Sequence, residues 1–438
     1  MSMNRRRAYR TVFFIWLGWV VILFAYQAYV PARLDLARPD YALEWTVTET
    51  RAGSQDGKPY LNEPFLNSHV SWDSEYYLAI ATAGYEAPTI HRINATMGPA
   101  ASGGGFWPFI IPENASGVLG ISLAYAFFPL YPLVMRLLAL PLSLLGMNAI
   151  ATATLAGVIV SSLGALAAML ALYELAEEEL GDSGGLRAAF YLVIFPSGFF
   201  LAQVYTEGLF VGLAFWSLVM MRRGRLGWAA LLAVLATFTR AVGVTLVVPL
   251  LMAWARSGEW HELDLEWRQV YFKGIPWRTL GRALLVFSPV LAFILWRVSY
   301  YGLAFSKVEE EFFGRGLLAF GNAFIAWLEA AQRLLNDNSQ ATAYYLIEFG
   351  GIVLGFTACI AWMRRQRDVA WFGLLVVFLS FTSGPAQGMH RYILAAPPVF
   401  LWLSHLGRRP AFDRVWTIVS ILLMGVLAIL FTFDMWTG

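Results

Sequence analysis

The chain has 438 residues, of which 58% are hydrophobic and only 14% are charged. Soluble globular proteins carry about 25% charged residues, so this composition excludes an ordinary soluble domain. The net charge is +2, and the arginines follow the predicted membrane topology rather than forming a basic patch. We therefore expect the lipid bilayer as a partner and no nucleic acid.

Long uncharged runs indicate membrane-spanning helices, because a bilayer core of about 30 Å requires roughly 20 apolar residues that each rise about 1.5 Å. The expected fold is an all-α polytopic membrane protein in which residues 1–438 form a single transmembrane domain. About eleven helices are predicted, at 11–31, 148–173, 187–204, 206–222, 226–241, 242–255, 283–301, 342–363, 369–384, 391–406 and 415–433.

The first predicted helix follows the basic sequence MSMNRRRAYR and has no convincing cleavage site, so we interpret it as uncleaved. With a cytoplasmic N-terminus, 19 of the 31 Lys and Arg residues fall in short cytoplasmic segments, including the loop 256–282. These are Arg5, Arg6, Arg7, Arg10, Arg187, Arg222, Arg223, Arg225, Arg256, Arg268, Lys273, Arg278, Arg282, Arg364, Arg365, Arg367, Arg408, Arg409 and Arg414. The positive-inside bias therefore predicts a cytoplasmic N-terminus and an extracytoplasmic C-terminus.

Residues 32–147 form the predicted first extracytoplasmic loop. Within it, residues 117–146 are apolar but are interrupted by Pro129, Pro132 and Pro141. Proline breaks the helical hydrogen-bond ladder, so we interpret this stretch as a helix lying on the outer leaflet rather than a span.

Other parts of the same loop, at 49–63 and 98–105, are polar or Gly-rich, and we expect them to be mobile. Asn94 and Asn114 begin N-glycosylation sequons. The Ala- and Leu-rich composition is typical of bacteria, so we expect a plasma-membrane protein whose sequons are unoccupied. Cys359 lies in an apolar run and is interpreted as a core thiol.

The segment SWDSEYYLAIATAGYE, residues 71–86, contains the densest group of candidate site residues. Its large and small apolar residues recur at helical spacing and predict an amphipathic helix at the membrane surface: Trp72, Tyr76, Ala79, Ile80 and Ala83. Asp73 lies in the first turn, where the helix dipole favours the ionised carboxylate that a general base needs. An equally simple interpretation is a helix-start aspartate with no further role.

Glu75 follows Asp73 closely enough to suggest an acidic metal-binding pair. Residues two apart point about 200° from one another around a helix, so the two carboxylates cannot chelate one ion in helical conformation. We expect no metal site.

Further ionisable residues lie near the predicted outer ends of helices, on the same side as Asp73: Glu207, Arg240, His390 and Arg391. Glu348 and Arg297 lie deeper in apolar runs. Charged residues within spans are costly and usually face a protein interior or a cavity. Each is therefore a candidate for function, and each could equally belong to a structural ion pair.

Several segments, in order along most of the chain, resemble the GPI mannosyltransferase II (PIG-V-like) family of GT-C glycosyltransferases. They are SWDSEYYLAIATAGY at 71–85, AFFPLYPLVMRLLA at 126–139, FPSGFFLAQVYTEGLF at 195–210, ATFTRAVG at 236–243 and HRYILAAPPVFLWLS at 390–404. The combination is specific, although Ser71 stands where many relatives carry Arg, and residues 86–120 are an unusual insertion.

The resemblance implies a GT-C fold with juxtamembrane helices in the first outer loop. It also implies transfer of a sugar, with mannose expected, from a polyprenyl-phosphate carrier to a lipid or glycan acceptor, with inversion and without a cofactor. Asp73 would deprotonate the acceptor hydroxyl. Arg240, Arg391 or His390 would stabilise the leaving phosphate, because such hydrogen bonds are charge-assisted.

Glu207 would orient the acceptor or one of those arginines. Trp72, Tyr76 and Tyr77 would either stack on the sugar or anchor the helix at the interface.

Two other functions are compatible with a multi-spanning chain. A lipid or solute transporter, or a flippase, would place its charged residues near the bilayer midplane and have short outer loops. The predicted arrangement is the opposite. A non-catalytic membrane scaffold would retain the fold but tolerate replacement of Asp73.

Overall fold

The computed structural model describes residues 5–36, 39–50, 60, 63–96, 118–257 and 277–438. As predicted, the described chain is overwhelmingly helical. Its helices and strands are α1 (Arg5–Arg33), α2 (Thr46–Glu49), α3 (Asp73–Ala83), β1 (Arg92–Thr96), β2 (Val118–Ser122), α4 (Leu130–Leu142), α5 (Ala149–Ile194), α6 (Glu207–Arg222), α7 (Leu226–Thr239), α8 (Val247–Arg256), α9 (Trp277–Val298), α10 (Tyr300–Glu311), α11 (Phe320–Asn336), α12 (Ser339–Trp362), α13 (Arg367–Phe381), α14 (Met389–Tyr392), α15 (Pro397–Leu406) and α16 (Pro410–Thr432).

Five of the described helices, namely α1, α5, α9, α12 and α16, are long and apolar enough to cross a membrane. Helix α5 covers two predicted spans, because the chain reverses at Gly181, whose φ is +68°. Beyond this glycine the chain runs back along the part of α5 that precedes it. The Tyr173 hydroxyl donates to Asp182 at 2.7 Å, and a Cβ at Gly185 would lie 2.7 Å from the Tyr173 ring.

The other predicted spans are shorter than expected. Helices α6, α7, α8, α13 and α15 contain 16, 14, 10, 15 and 10 residues. Short 3₁₀ segments at Gly198–Ala202, Ala241–Leu246 and Ile393–Ala395 occupy sequence that hydropathy assigns to helix. A 3₁₀ turn is as apolar as the helix it replaces, so the pattern of residue types does not distinguish them.

Helix α4 lies within residues 117–146 and has 13 residues, which is about 20 Å at 1.5 Å per residue. It exposes Leu133, Leu137 and Leu140. The interfacial interpretation of this stretch stays a prediction. The same region also holds an element that the sequence did not predict, a two-stranded antiparallel sheet in which β1 pairs with β2 from Arg92↔Ser122 to Thr96↔Val118.

Two of the longer helices were not predicted. They are α10 (Tyr300–Glu311) and α11 (Phe320–Asn336), and the sequence analysis left residues 302–341 outside any helix. Asn94 is exposed on β1. Two predicted features lie wholly outside the described residues, namely Asn114 and residues 98–105. Two others lie mostly outside them, namely the polar stretch 49–63 and the loop 256–282.

Charged residues gather at the two ends of the bundle. At one end, Arg222 pairs with Asp368 at 2.8 Å, and Arg223 pairs with Glu174 at 2.6 Å. At the other end of α6, about 24 Å away at 1.5 Å per residue, lies Glu207. Arg222 and Arg223, which are predicted to be cytoplasmic, and the candidate site residue Glu207 therefore lie toward opposite ends of α6.

Candidate active site

The site is built on residues 203–207, the sequence QVYTE, which leads into α6 and ends at its first residue, Glu207. The Gln203 amide oxygen lies 2.9 Å from His69 Nδ1, and the Val204 amide donates to the His69 carbonyl at 3.2 Å. Burial lowers the pKa of His69 to about 4, so this imidazole is neutral and acts as a fixed hydrogen-bonding group. These contacts attach the first outer loop to the bundle at a defined position.

Tyr205 fixes the turn that carries Asp73. Its hydroxyl donates to the Ser71 carbonyl at 3.0 Å and accepts from the Asp73 amide at 3.3 Å. The Ser71 hydroxyl in turn donates to Asp434 Oδ1 at 2.5 Å. Ser71, the position at which the chain departs from the resembled family, is therefore anchored by a serine-to-aspartate hydrogen bond.

Trp72 has a φ of +53°, which is unusual for a residue with a large side chain. Its indole donates to the Met435 carbonyl at 3.3 Å and packs edge-on against Trp45 and Trp436. Trp72 is thus part of an aromatic cluster that stabilises the turn. A backbone in this region costs of order 1–3 kcal/mol and persists only where surrounding contacts maintain it.

Helix α3 begins at Asp73, as predicted, but it is not amphipathic in the expected way. Its buried residues occupy most of its circumference, at Ser74, Glu75, Tyr77, Leu78, Ala79, Ile80 and Ala81, whereas Ala83 is exposed. The prediction of a single apolar stripe facing the membrane surface is therefore wrong. The reason is that α3 packs against α4 and α5, so its surroundings are protein on several sides.

Asp73 and Tyr77 lie one turn apart and share a face of α3. Asp73 is partly exposed, while Glu75 is buried, as expected for positions about 200° apart. Among the described residues, no group of three His, Cys, Asp or Glu side chains is arranged to hold a metal ion. Tyr76 stacks on Phe127.

Arg391 is presented by the short helix α14, which Glu348 caps. Both Glu348 carboxylate oxygens are buried and accept backbone hydrogens, from Gly388 at 2.6 Å and from Met389 at 2.7 Å. His390 faces this cap and not Asp73, because its Nδ1 lies 3.2 Å from Glu348 and its Nε2 lies 2.6 Å from the Thr437 carbonyl.

Four charged side chains meet beside the α3 start. Arg391 Nη1 lies 3.3 Å from Asp73 Oδ2, and Arg391 Nε lies 3.3 Å from Glu207 Oε1. Arg240 Nη1 lies 2.5 Å from the same Glu207 oxygen and donates to the Thr206 hydroxyl at 3.2 Å. The side chains of Glu207 and Arg391 are 3% and 6% exposed, whereas Asp73 is 29% exposed. Asp73 is therefore the carboxylate of this cluster that a substrate can reach most readily.

Tyr392 lies among three guanidinium groups. The centres of Arg240, Arg315 and Arg391 are 5.1, 5.6 and 5.1 Å from its ring centroid. This is the geometry of cation–π attraction, which positions cations without neutralising them. The site therefore concentrates positive charge beside Asp73.

The structure thus brings together Asp73, Glu207, Arg240 and Arg391, with Tyr77 close by. It places His390 in the neighbouring Glu348 group, and Arg297 on α9, where it donates to the Gly302 carbonyl at 3.3 Å.

Tyr205, Tyr392 and Arg315 belong to the site but were not selected from the sequence. Tyr205 lies in the YTE motif with Glu207, and Tyr392 directly follows Arg391. Their closeness in sequence to a candidate residue could have indicated them. Arg315 has no candidate site residue near it in the sequence.

A cavity of about 430 Å³ lies on another face of α6, lined by apolar residues of α5, α6 and α7 that include Leu213 and Trp216. It is lined by none of the four charged residues. A small crevice is lined by Glu207, Arg240, Arg391 and Tyr392. We place the site at this crevice, because its residues carry the chemistry and the larger cavity offers mainly hydrocarbon.

No known protein family and no curated protein matches the sequence. Similar solved structures include the oligosaccharyltransferase of Archaeoglobus fulgidus in the apo form, tethered to an acceptor peptide, and in complex with an inhibitory peptide and a dolichol-phosphate. Each is 14% identical, has a TM-score of 0.41, and covers 97% of this chain. The chain spans 56% of the length of that protein. At this identity and TM-score, the similarity identifies neither a family nor an activity.

Proposed function

We propose that this chain is a GT-C type membrane glycosyltransferase that transfers a sugar from a polyprenyl-phosphate carrier to an extracytoplasmic acceptor. The observation that carries the proposal is the partly exposed Asp73 carboxylate at the start of α3, 3.3 Å from Arg391 in a cluster of guanidinium groups. A carboxylate beside concentrated positive charge suits a reaction that removes a proton and releases a phosphate.

The reaction is balanced in charge and atoms. The acceptor hydroxyl oxygen attacks the anomeric carbon, its proton moves to Asp73, and the bond from that carbon to the phosphate oxygen breaks. The bonding electrons leave with the phosphate, so the phosphodiester becomes a monoester with one more negative charge. Asp73 loses one negative charge in the same step. Attack opposite the leaving group inverts the anomeric carbon.

Arg391 links the two ends of this charge transfer. In the resting site its guanidinium lies against both Asp73 and Glu207. When Asp73 accepts the proton, the attraction between Asp73 and Arg391 weakens, and the positive charge of Arg391 becomes available to the departing phosphate. Charge stabilisation of this kind is strongest in a site that excludes water, where the effective dielectric constant is low.

The identity of the sugar and the family of the chain are more specific proposals. Mannose as the sugar, and membership of the GPI mannosyltransferase II family, are supported by the motifs WD, FFPLYP, YTE and HRY in this sequence. Three of these motifs supply residues of the cluster, namely Asp73, Glu207 and Arg391. The acceptor is a hydroxyl of a lipid or a glycan.

A transporter or flippase is a weaker alternative. The ion pairs made by α6 lie at its two ends, with Glu207 at one end and Arg222 at the other. A substrate pathway through the membrane generally places such groups near the midplane. The described arrangement suits a site that opens at one end of the bundle.

The testing experiment compares Asp73→Asn with the wild type in phosphatidylcholine nanodiscs, using decaprenyl-phosphate-mannose and an extract of the producing cell's lipids and glycans. Asparagine keeps the shape but cannot accept the proton. We expect transfer to fall by about 10²-fold or more, as expected for loss of general-base catalysis. The matched control is Asp413→Asn, which changes an aspartate paired with Arg187 away from the site. Near-normal turnover by Asp73→Asn would exclude Asp73 as the base.

A further inference from the structure

Arg315 differs from the other guanidinium groups around Tyr392. Arg391 has Asp73 and Glu207 as counter-ions, and Arg240 has Glu207. Arg315 donates to the Tyr392 hydroxyl at 2.6 Å, and no ion pair with a described carboxylate accompanies this bond. A half-buried guanidinium that forms no ion pair with a described carboxylate is incompletely compensated, because burying charge without a counter-ion is costly.

The chain holds Arg315 in place by its backbone. The Arg315 amide donates to the Glu309 carbonyl at 2.7 Å, and the next amide, that of Gly316, donates to the Ser383 carbonyl at 2.8 Å. Gly384 allows this close approach, since a Cβ there would lie 2.3 Å from the Gly314 carbonyl oxygen. Arg315 is therefore positioned by hydrogen bonds to α10 and to the segment after α13.

The charges of the site leave room for an anion. Three arginines, at 240, 315 and 391, are set against Asp73 and Glu207. Glu309 is the remaining carboxyl group near Arg315, and burial raises its pKa to about 7, with Arg315 opposing the shift and Asp73 adding to it. At neutral pH the net charge of these three arginines and three carboxyl groups is therefore positive or near zero before any ligand binds.

We propose that Arg315 binds the phosphate of a lipid-phosphate ligand, which makes the connection between α10 and α11 part of the donor site. The inference rests on the proposed function for the identity of that ligand. Guanidinium groups suit phosphate because their planar N–H fork makes two parallel hydrogen bonds. Arg391 and Arg240 are already engaged with carboxylates, so Arg315 is the arginine of this group that can meet a phosphate without first losing a counter-ion.

The test measures binding of decaprenyl phosphate and of neutral decaprenol to the full chain in phosphatidylcholine nanodiscs. Arg315→Gln should weaken decaprenyl phosphate binding by roughly 10- to 100-fold, as for loss of a charge-assisted hydrogen bond, and leave decaprenol binding unchanged. Arg297→Gln is the matched control, because Arg297 is also half-buried but contacts only Gly302 and Phe305 among the partners described. Unchanged phosphate affinity in Arg315→Gln would overturn the proposal.

A second measurement needs no variant, so it remains decisive if Arg315→Gln fails to fold. The wild type is treated with an arginine-selective dicarbonyl reagent, and modification is mapped by mass spectrometry. Decaprenyl phosphate should protect Arg315, whereas decaprenol should not. If phosphatidylglycerol in the nanodisc protects equally well, the residue binds bulk lipid headgroups and the donor assignment is wrong.

These results separate the inference from the proposed function. If Arg315→Gln binds the lipid phosphate normally while Asp73→Asn abolishes transfer, the inference fails and the enzyme remains. If Arg315→Gln loses phosphate binding but the wild type transfers no sugar, the lipid-phosphate site stands and the proposed reaction fails.

Discussion

Glu207 illustrates how one buried carboxylate organises two cations. Its Oε1 atom lies 2.5 Å from Arg240 and 3.3 Å from Arg391. The sequence analysis expected Glu207 to orient either the acceptor or an arginine, and the described contacts favour the arginine. Because Glu207 is buried, removing its charge leaves two guanidinium groups without their shared partner.

We predict that Glu207→Gln lowers the free energy of unfolding by about 3–5 kcal/mol, the usual cost of breaking a buried ion pair. Equilibrium unfolding in mixed micelles measures this. The control is Glu178→Gln, since Glu178 is 70% exposed and pairs with Arg222. An exposed pair contributes about 0–1 kcal/mol. Equal losses in the two variants would show that Glu207 has no special structural role.

Glu309 should make ligand binding depend on pH. Its pKa of about 7, raised by burial, means that it is neutral below pH 7 and negative above. Arg315 and Asp73 are the charged groups that act on it. As pH rises through 7, the new carboxylate competes for Arg315, so affinity for an anionic ligand should fall.

The measurement uses decaprenyl-phosphate-mannose, whose phosphodiester keeps one charge over this range. The acceptor is omitted, so that no transfer occurs and Asp73 keeps its effect on Glu309. We expect affinity to decline between about pH 6 and pH 8, and Glu309→Gln to remove the decline. The same decline in Glu309→Gln would assign the pH dependence to another group.

At the scale of elements, the start of α3 is held from both sides. Tyr205 binds the backbone of Ser71 and Asp73, while the segment after α16 binds the side chains of Ser71 and Trp72. Trp436 is central to the second set, because it packs against Trp45 and Trp72. The unusual backbone of Trp72 is therefore a consequence of packing by residues distant in sequence.

We predict that Trp436→Ala releases this turn and reduces transfer by up to about 10²-fold, because a displacement of about 1 Å at a catalytic group can cost that much. Amide hydrogen exchange at residues 71–75 should accelerate. Trp228→Ala is the control, since Trp228 is exposed on α7. Unchanged exchange at 71–75 in Trp436→Ala would show that Tyr205 alone holds the turn.

The sequence was sufficient to predict those elements whose formation depends mainly on one physical requirement. Lipid requires long uncharged helices, so hydropathy located the five described helices that are long enough to cross a membrane, and also the proline-containing stretch that forms α4. It did not find α10 or α11, which are too polar or too short for a span, or the positive φ at Trp72, which depends on Trp45 and Trp436. The cluster at Asp73 was predictable as a set of charges near outer helix ends, whereas Arg315 reaches it only through tertiary contacts at Ser383 and Tyr392.

At the scale of the whole molecule, the two ends of the bundle differ in kind. One end holds structural pairs such as Arg222–Asp368 and Arg256–Asp368. The other holds the candidate site with its partly exposed aspartate. The positive-inside bias predicts that the first end lies in the cytoplasm, which would leave the site outside it.

This topology is testable in intact cells, in a Cys359→Ser background that removes the only native cysteine. Single cysteines replace Ala83 at the end of α3 and Arg225 in the turn between α6 and α7, both of which are exposed. A membrane-impermeant maleimide should label Ala83→Cys in intact cells and Arg225→Cys only after permeabilisation. The two positions lie toward opposite ends of the bundle, so labelling of both in intact cells would contradict the spanning arrangement. Labelling of Arg225→Cys alone would invert the orientation and place Asp73 on the cytoplasmic side, where the proposed extracytoplasmic acceptor could not reach it.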